Sequence, residues 1–365
     1  MNRNAVIAIV LVVIIGVAGL GVWFFIQPVP NPFNVAVVFA TGGLGDKSFN
    51  DGCYRGAQDA EDDFDITFTF VEPEDIAEYE GYIRNYAAHT GYIEPYDLII
   101  CIGYDQVAPL KEVAGQYPDQ TFAIVDEFLD NESTAAIEFP NVRGLTFAEH
   151  EGSALVGAFA GMVTTTDKLG FVGGMDIPLI NKFAGGFQWG ANYSNPGCNV
   201  TIQYTNNFGD PTTGKTAADT LYDLGCDIVF GAAGASGLGV FDSVKEKNGT
   251  KAYPLWNIGV DDYQMILGAT GGTGPSLTIT SMLKRVDLAI YWVIEDVCVD
   301  DDFVGGHYYY TLTNSTPGVG FEINATLFDV NTYTGLNVIG NVTELATAIA
   351  NGTIDSSAFD DKYWL

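Results

Sequence analysis

Asn34-Val35-Ala36-Val37-Val38-Phe39-Ala40-Thr41-Gly42-Gly43-Leu44-Gly45-Asp46-Lys47-Ser48-Phe49-Asn50 decides the class of the fold. Val35–Ala40 is continuously apolar rather than alternating, the pattern of a strand covered on both faces. Gly42, Gly43 and Gly45 break that run, and Asn50–Asp63 follows with the patterning of a helix. A strand, a glycine-rich loop and a helix make the repeating unit of parallel α/β sheets.

The unit recurs along the chain. Further strands are predicted at Ile66–Val71, Leu98–Ile102, Phe122–Val125, Leu169–Val172, Val200–Tyr204, Ile228–Phe230 and Leu255–Val260. Helices are predicted at Ile76–His89, Val107–Gln116, Glu151–Val163, Lys182–Tyr193, Lys215–Leu224, Gly239–Lys247, Val286–Val297 and Val342–Ala350. That many strands exceed one ordinary sheet, so two α/β lobes are expected. In such folds ligands bind at the carboxyl ends of strands, which directs attention to the loops there.

Composition narrows the function. The 365 residues carry 46 acidic against 15 basic side chains, a net charge of −31, so the clustered Lys and Arg that hold nucleic acid or anionic lipid are not available. Hydrophobic residues at 47% exclude a disordered chain despite that charge. The acidity by itself describes a solvated surface rather than a partner.

Ala5–Ile26 is apolar and uncharged, long enough to cross a bilayer as a helix. Arg3 before it and acidic residues beyond it put residues 1–4 in the cytoplasm and the folded part outside. Trp23, Phe24 and Phe25 suit the outer interface and favour a retained anchor over a cleaved signal peptide, for which Gly19-Leu20-Gly21 is a poor site. No Cys follows the run to take a lipid, and Pro28, Pro30 and Pro32 make a short stiff spacer. Asn-x-Ser/Thr occurs at Asn131, Asn192, Asn199, Asn248, Asn314, Asn324, Asn341 and Asn351, which fits an extracytoplasmic glycoprotein surface. Cys53, Cys101, Cys198, Cys226 and Cys298 lack metal or redox spacing; Cys198 and Cys226 are a conceivable disulfide, with free buried thiols the alternative.

The loops after the strands form an ordered set. They are Gly45–Asn50, Ile124-Val125-Asp126, Thr146–Gly152, Gly170–Gly174 with Pro178, Phe183 and Gly186-Phe187, Ala232–Gly237, Ile258–Gln264, and Thr280–Lys284. From Asn34 to Gly320 this set resembles the basic membrane protein family of substrate-binding lipoproteins, which includes nucleoside-binding components of ABC importers. The resemblance implies a type I periplasmic-binding-protein fold, with two Rossmann-like lobes closing about a hinge behind the N-terminal transmembrane helix. Residues 1–32 would be anchor and linker, 33–145 plus 280–308 lobe one, and 146–279 plus 309–365 lobe two.

The residue types suit a purine nucleoside. Phe49 and Phe183 stand at the family's stacking positions, and an aromatic face contributes about 1–3 kcal/mol per stacked base. Asn50 and Asp126 match the donors and acceptors of a base edge. Asp261 suits a ribose diol, and Lys284 balances it while donating to a hydroxyl. Gly234 and Gly237 allow close backbone approach, and Asp46 supports its loop as a cap. Taken singly, the two Phe residues read as core, the Asp residues as caps and Lys284 as a solvated charge. Tyr263 interrupts the family's acid–Gln run after Asp262.

One motif points elsewhere. Gly209-Asp210-Pro211-Thr212-Thr213-Gly214-Lys215-Thr216 satisfies the P-loop pattern. Pro211 removes an N–H from that cradle and the topology places it outside the cell, so it reads as a helix start. His89, His150 and His307 are isolated, and no metal spacing or nucleophile elbow occurs. The expectation is a solute-binding protein, not an enzyme, without cofactor or metal. It takes a small-molecule ligand to ABC permease subunits and meets the membrane through its N-terminal helix. A membrane-anchored sensor or surface glycoprotein using the same fold without transport is the alternative.

Overall fold

Strand Phe33–Val38 buries Val35, Ala36, Val37 and Val38 almost completely, and it pairs in parallel with Ile66–Val71 on one side and Leu98–Ile102 on the other. In the computed structural model, residues 32–90, 95–129, 137–272, 274–313 and 317–359 are described, with the short strands Val12–Ile14 and Trp23–Phe25. The expected membrane helix Ala5–Ile26 otherwise lies outside the described residues. At those six positions the backbone is extended and paired antiparallel. Val, Ile, Trp and Phe are strong strand formers. No helix among the described residues is long and apolar enough to cross a membrane.

Two six-stranded sheets define two lobes. The first runs Gly306–Tyr310, Val142–Phe147, Phe122–Val125, Leu98–Ile102, Phe33–Val38, Ile66–Val71, all parallel. The second runs Val319–Phe321, Thr278–Lys284, Trp256–Asp261, Ile228–Ala232, Lys168–Gly173, Asn199–Tyr204, with only Val319–Phe321 antiparallel.

The chain passes between sheets three times. It leaves the first sheet after Phe147 and returns after Lys284; after Tyr310 it crosses again to Val319. The expected switch before residue 280 therefore falls too early, because Thr278–Lys284 pairs along Trp256–Asp261. The expected switches near 145 and 308 likewise fall inside strands Val142–Phe147 and Gly306–Tyr310. Backbone pairing outweighs the polar side chains that disguised these strands.

Small residues let the covering helices approach. Helix Glu149–Val163 is buried on nearly all sides and crosses Pro178–Ser194 where a methyl group on Gly190 would fall on the Ala154 carbonyl. Helix Phe49–Asp63 meets Val286–Cys298 in the same way, Gly56 lying against the Asp287 carbonyl. All five cysteines are buried and free, so Cys198 and Cys226 form no disulfide.

The crossing fixes an expected outcome. Gly190→Ala is expected to lose about 1–3 kcal/mol in urea unfolding, because backbone must shift to admit the methyl. Gly81→Ala, in helix Tyr79–Ala87 with open space around it, is expected to gain up to about 1 kcal/mol. Equal effects at the two sites would contradict the packing account.

Candidate functional site

The carboxyl ends of the two sheets face each other across a cleft lined by residues of both lobes. Its lining includes Asp46, Phe49, Asn50, Asp126, Phe183, Gly234, Asp261 and Lys284, and also Tyr104, Asp105 and Phe208. Gly237 is not among the lining residues, because the tight turn Gly234–Gly237 carries it into the start of helix Leu238–Lys247.

Lys284 ends strand Thr278–Lys284 and is only 2% exposed. Its Nζ lies 2.6 Å from Asp126 Oδ1 and 3.2 Å from Glu149 Oε1. The rings of Phe49, Phe147 and Phe183 stand 5.2, 5.2 and 5.5 Å from the same nitrogen. Burial works against the ammonium, but Asp126, Glu149 and Asp261 more than offset it and hold its pKa above the ordinary lysine value. Lys284 therefore stays charged. Glu149, in the first turn of its helix, also faces Lys182 Nζ at 3.7 Å.

The aspartates divide by environment. Asp46 accepts N–H bonds from Ser48 (2.9 Å), Asn50 (2.9 Å) and Asp51 (3.2 Å), fixing the loop that leads into helix Phe49–Asp63. Burial nevertheless raises its pKa. Asn50 Oδ1 accepts the Ala40 N–H at 3.2 Å, tying the helix start to the strand end. Asp126 and Asp261 both have left-handed backbone, at φ 73° and 64°, where each strand turns out toward the cleft. Non-glycine residues held there are strained, and such strain concentrates at ligand sites. Burial pushes the Asp261 carboxyl up to about 7, although Lys284 and a hydrogen bond from the Ser48 hydroxyl pull it down. Burial also holds Asp126 above the ordinary aspartate range, against the pull of Lys284.

Sequence reasoning missed several neighbours. Tyr79 Oη accepts the Thr41 N–H at 2.8 Å and donates to Asp105 at 3.3 Å, holding a second carboxylate at the cleft wall. Phe208 is a single aromatic in the polar loop Thr205–Asp210, and that contrast was its available signal. Glu149 lies within the stretch Thr146–Gly152 but before the predicted helix start at Glu151, and it was given no role. Tyr263 is 53% exposed and stands outside the lining.

The P-loop look-alike holds no phosphate site. Asp210 caps helix Pro211–Asp223 by accepting the Thr212 N–H, and Lys215 pairs with Asp219 at 2.9 Å and Glu246 at 3.0 Å. A side chain at Gly214 would fall on the Ser236 carbonyl, so this glycine serves helix packing.

A two-lobed cleft of this construction matches known proteins. The profile of the family described as ABC transporter substrate-binding protein, PnrA-like, matches residues 33–337. The chain belongs to this family. It is 31% identical over 308 residues to the ABC transporter nucleoside-binding protein BmpA of Lactococcus lactis, covering 82% of this chain and 84% of that one. It is 35% identical over 294 residues to an uncharacterized lipoprotein of Pyrococcus horikoshii, covering 79% and 68%. The crystal structure of an ABC transporter solute-binding protein from Aeropyrum pernix is similar at a TM-score of 0.73 and 30% identity, over 89% of this chain and 93% of that one. Membership in the PnrA-like family implies a small-molecule ligand, a permease partner and a place on the outer side of the membrane.

The raised Asp261 carboxyl makes stability depend on pH. Between the ordinary aspartate value of 3.8 and about 7 the folded protein holds a proton that the unfolded chain has lost. The contribution is therefore complete at low pH and disappears as pH rises through about 7. Asp261→Asn lacks this dependence, so its Tm relative to wild type is expected to climb between about pH 4 and about pH 8. A gap that stays constant across that range would contradict the assignment.

Proposed function

We propose that this PnrA-like protein captures a purine nucleoside between its lobes and delivers it to an ABC importer. The observation that carries the reading is the pair Phe49 and Phe183, one from each lobe, both within 5.5 Å of a buried ammonium that is itself held by carboxylates. Flat apolar faces beside fixed donors and acceptors suit a base joined to a polyol. Asp261, ionised, accepts ribose hydroxyls; Asn50 and Asp126 meet polar edges of the ligand; Lys284 donates to it. Asp46 acts through its loop rather than by contact, and Gly234, at φ 56° beside the Phe208 carbonyl, keeps the wall thin.

Charge supports a ligand without phosphate. Among the described lining residues Asp46, Asp105, Asp126 and Asp261 are acidic and Lys284 alone is basic. A cleft of that balance repels a phosphate monoester. The nucleoside-binding name of the Lactococcus lactis relative points the same way. Residues 1–32 would tether the protein to the membrane, and the exposed sequon residues Asn199, Asn248, Asn341 and Asn351 would carry glycans on the outer side.

Isothermal calorimetry with nucleosides, free bases and nucleoside monophosphates tests the reading. Purine nucleosides are expected to bind with micromolar or tighter Kd, and monophosphates far more weakly. Asp261→Ala is expected to weaken nucleosides much more than free bases, and wild-type nucleoside affinity is expected to fall as pH drops below about 7. No heat across the panel would overturn the ligand assignment, and equal losses for nucleoside and base would overturn the ribose role of Asp261.

A further inference from the structure

Two polar contacts join the lobes through residues that do not line the cleft. Arg55, on lobe one, reaches Asp262, on lobe two, with its Nη1 and Nη2 atoms 2.7 and 3.3 Å from the carboxylate oxygens. Gln264 Nε2, also from lobe two, donates to the Lys47 carbonyl of lobe one at 2.6 Å. None of these four residues contributes to the cleft wall.

Each contact is braced against a segment where the chain crosses between lobes. Arg55 also pairs with Asp287 at 3.3 Å, and Asp287 takes two bonds of 2.9 Å from Arg285, which directly follows the second crossing strand. The close approach at Gly56 fixes the Arg55 helix against that same segment. Gln264 is held on its other side: its Oε1 accepts the Val260 N–H at 2.8 Å and its own N–H donates to Ser281 Oγ at 3.1 Å. Ser281 in turn donates to Glu322 at 2.8 Å, just beyond the third crossing. Neither latch residue is free to swing independently of the hinge.

The geometry points to a built-in latch, in which the Arg55–Asp262 and Gln264–Lys47 bonds hold the lobes closed without touching ligand. This rests on the cleft being the ligand site. Because apparent affinity scales with the fraction of protein already in the binding-competent state, such a latch sets the affinity for every ligand by one common factor. Residues that touch the ligand instead change affinities selectively. Arg55 and Gln264 are thus positioning residues.

Asp262→Asn is the cleanest variant, since the amide keeps an oxygen for the Tyr263 N–H that Asp262 now accepts at 2.7 Å. Small-angle scattering of the ligand-free full chain is the first readout, and Gln264→Leu is the second variant should Asp262→Asn fold poorly. The latch predicts a larger radius of gyration for the ligand-free variant than for wild type. Calorimetry should then show Kd for a purine nucleoside and for its free base rising by the same factor, roughly three- to tenfold. Unchanged scattering would overturn the latch, and so would losses that differ between nucleoside and base. If neither ligand binds wild type, the nucleoside reading fails, while scattering still decides the latch.

Discussion

A single buried ammonium organises this molecule. Lys284 sits where the carboxyl ends of both sheets converge, and its charge is held by Asp126 from one lobe and Glu149 at the first crossing. Placing an ammonium there is costly, and only the flanking carboxylates and the three aromatic faces make it tolerable. Removing one partner would leave an uncompensated charge in the cleft floor. Burial at the same place raises the nearby Asp261 carboxyl to about 7, against the downward pull of this ammonium.

Much of the fold was legible because parallel strands buried on both faces are apolar throughout. Ile66–Val71, Leu98–Ile102 and Phe122–Val125 occur at the predicted residues. The strands that escaped notice carry polar side chains whose partners lie far away in sequence. Arg143 in Val142–Phe147 is buried by pairing with Asp296 and by the rings of Phe303 and Tyr308. Thr278 bonds Asn257 and Thr280 bonds the Glu322 carbonyl, both within Thr278–Lys284 or its neighbours. No local pattern announces such compensation, and missing these strands also misplaced the lobe boundaries.

The cleft was legible for a different reason. Asp46, Asn50, Asp126, Asp261 and Lys284 stand at or just beyond strand ends, and it was the family resemblance that singled them out there. Glu149 and Phe208 were not singled out, one lying before the expected helix start at Glu151 and the other isolated in a polar loop. Gly237 was expected, with Gly234, to let backbone approach a ligand closely, but three residues of tight turn carry it out of the cleft lining. The strong acidity of the chain takes on a narrower meaning here: most of it is solvated, while a few carboxylates gather around Lys284.

We propose that the two lobes close on a purine nucleoside. The most direct measurement is mass spectrometry of the small molecule released by denaturing protein that was purified without added ligand. A purine nucleoside is expected in near-stoichiometric amount. Release of a nucleotide, a sugar or an amino acid in its place would contradict it.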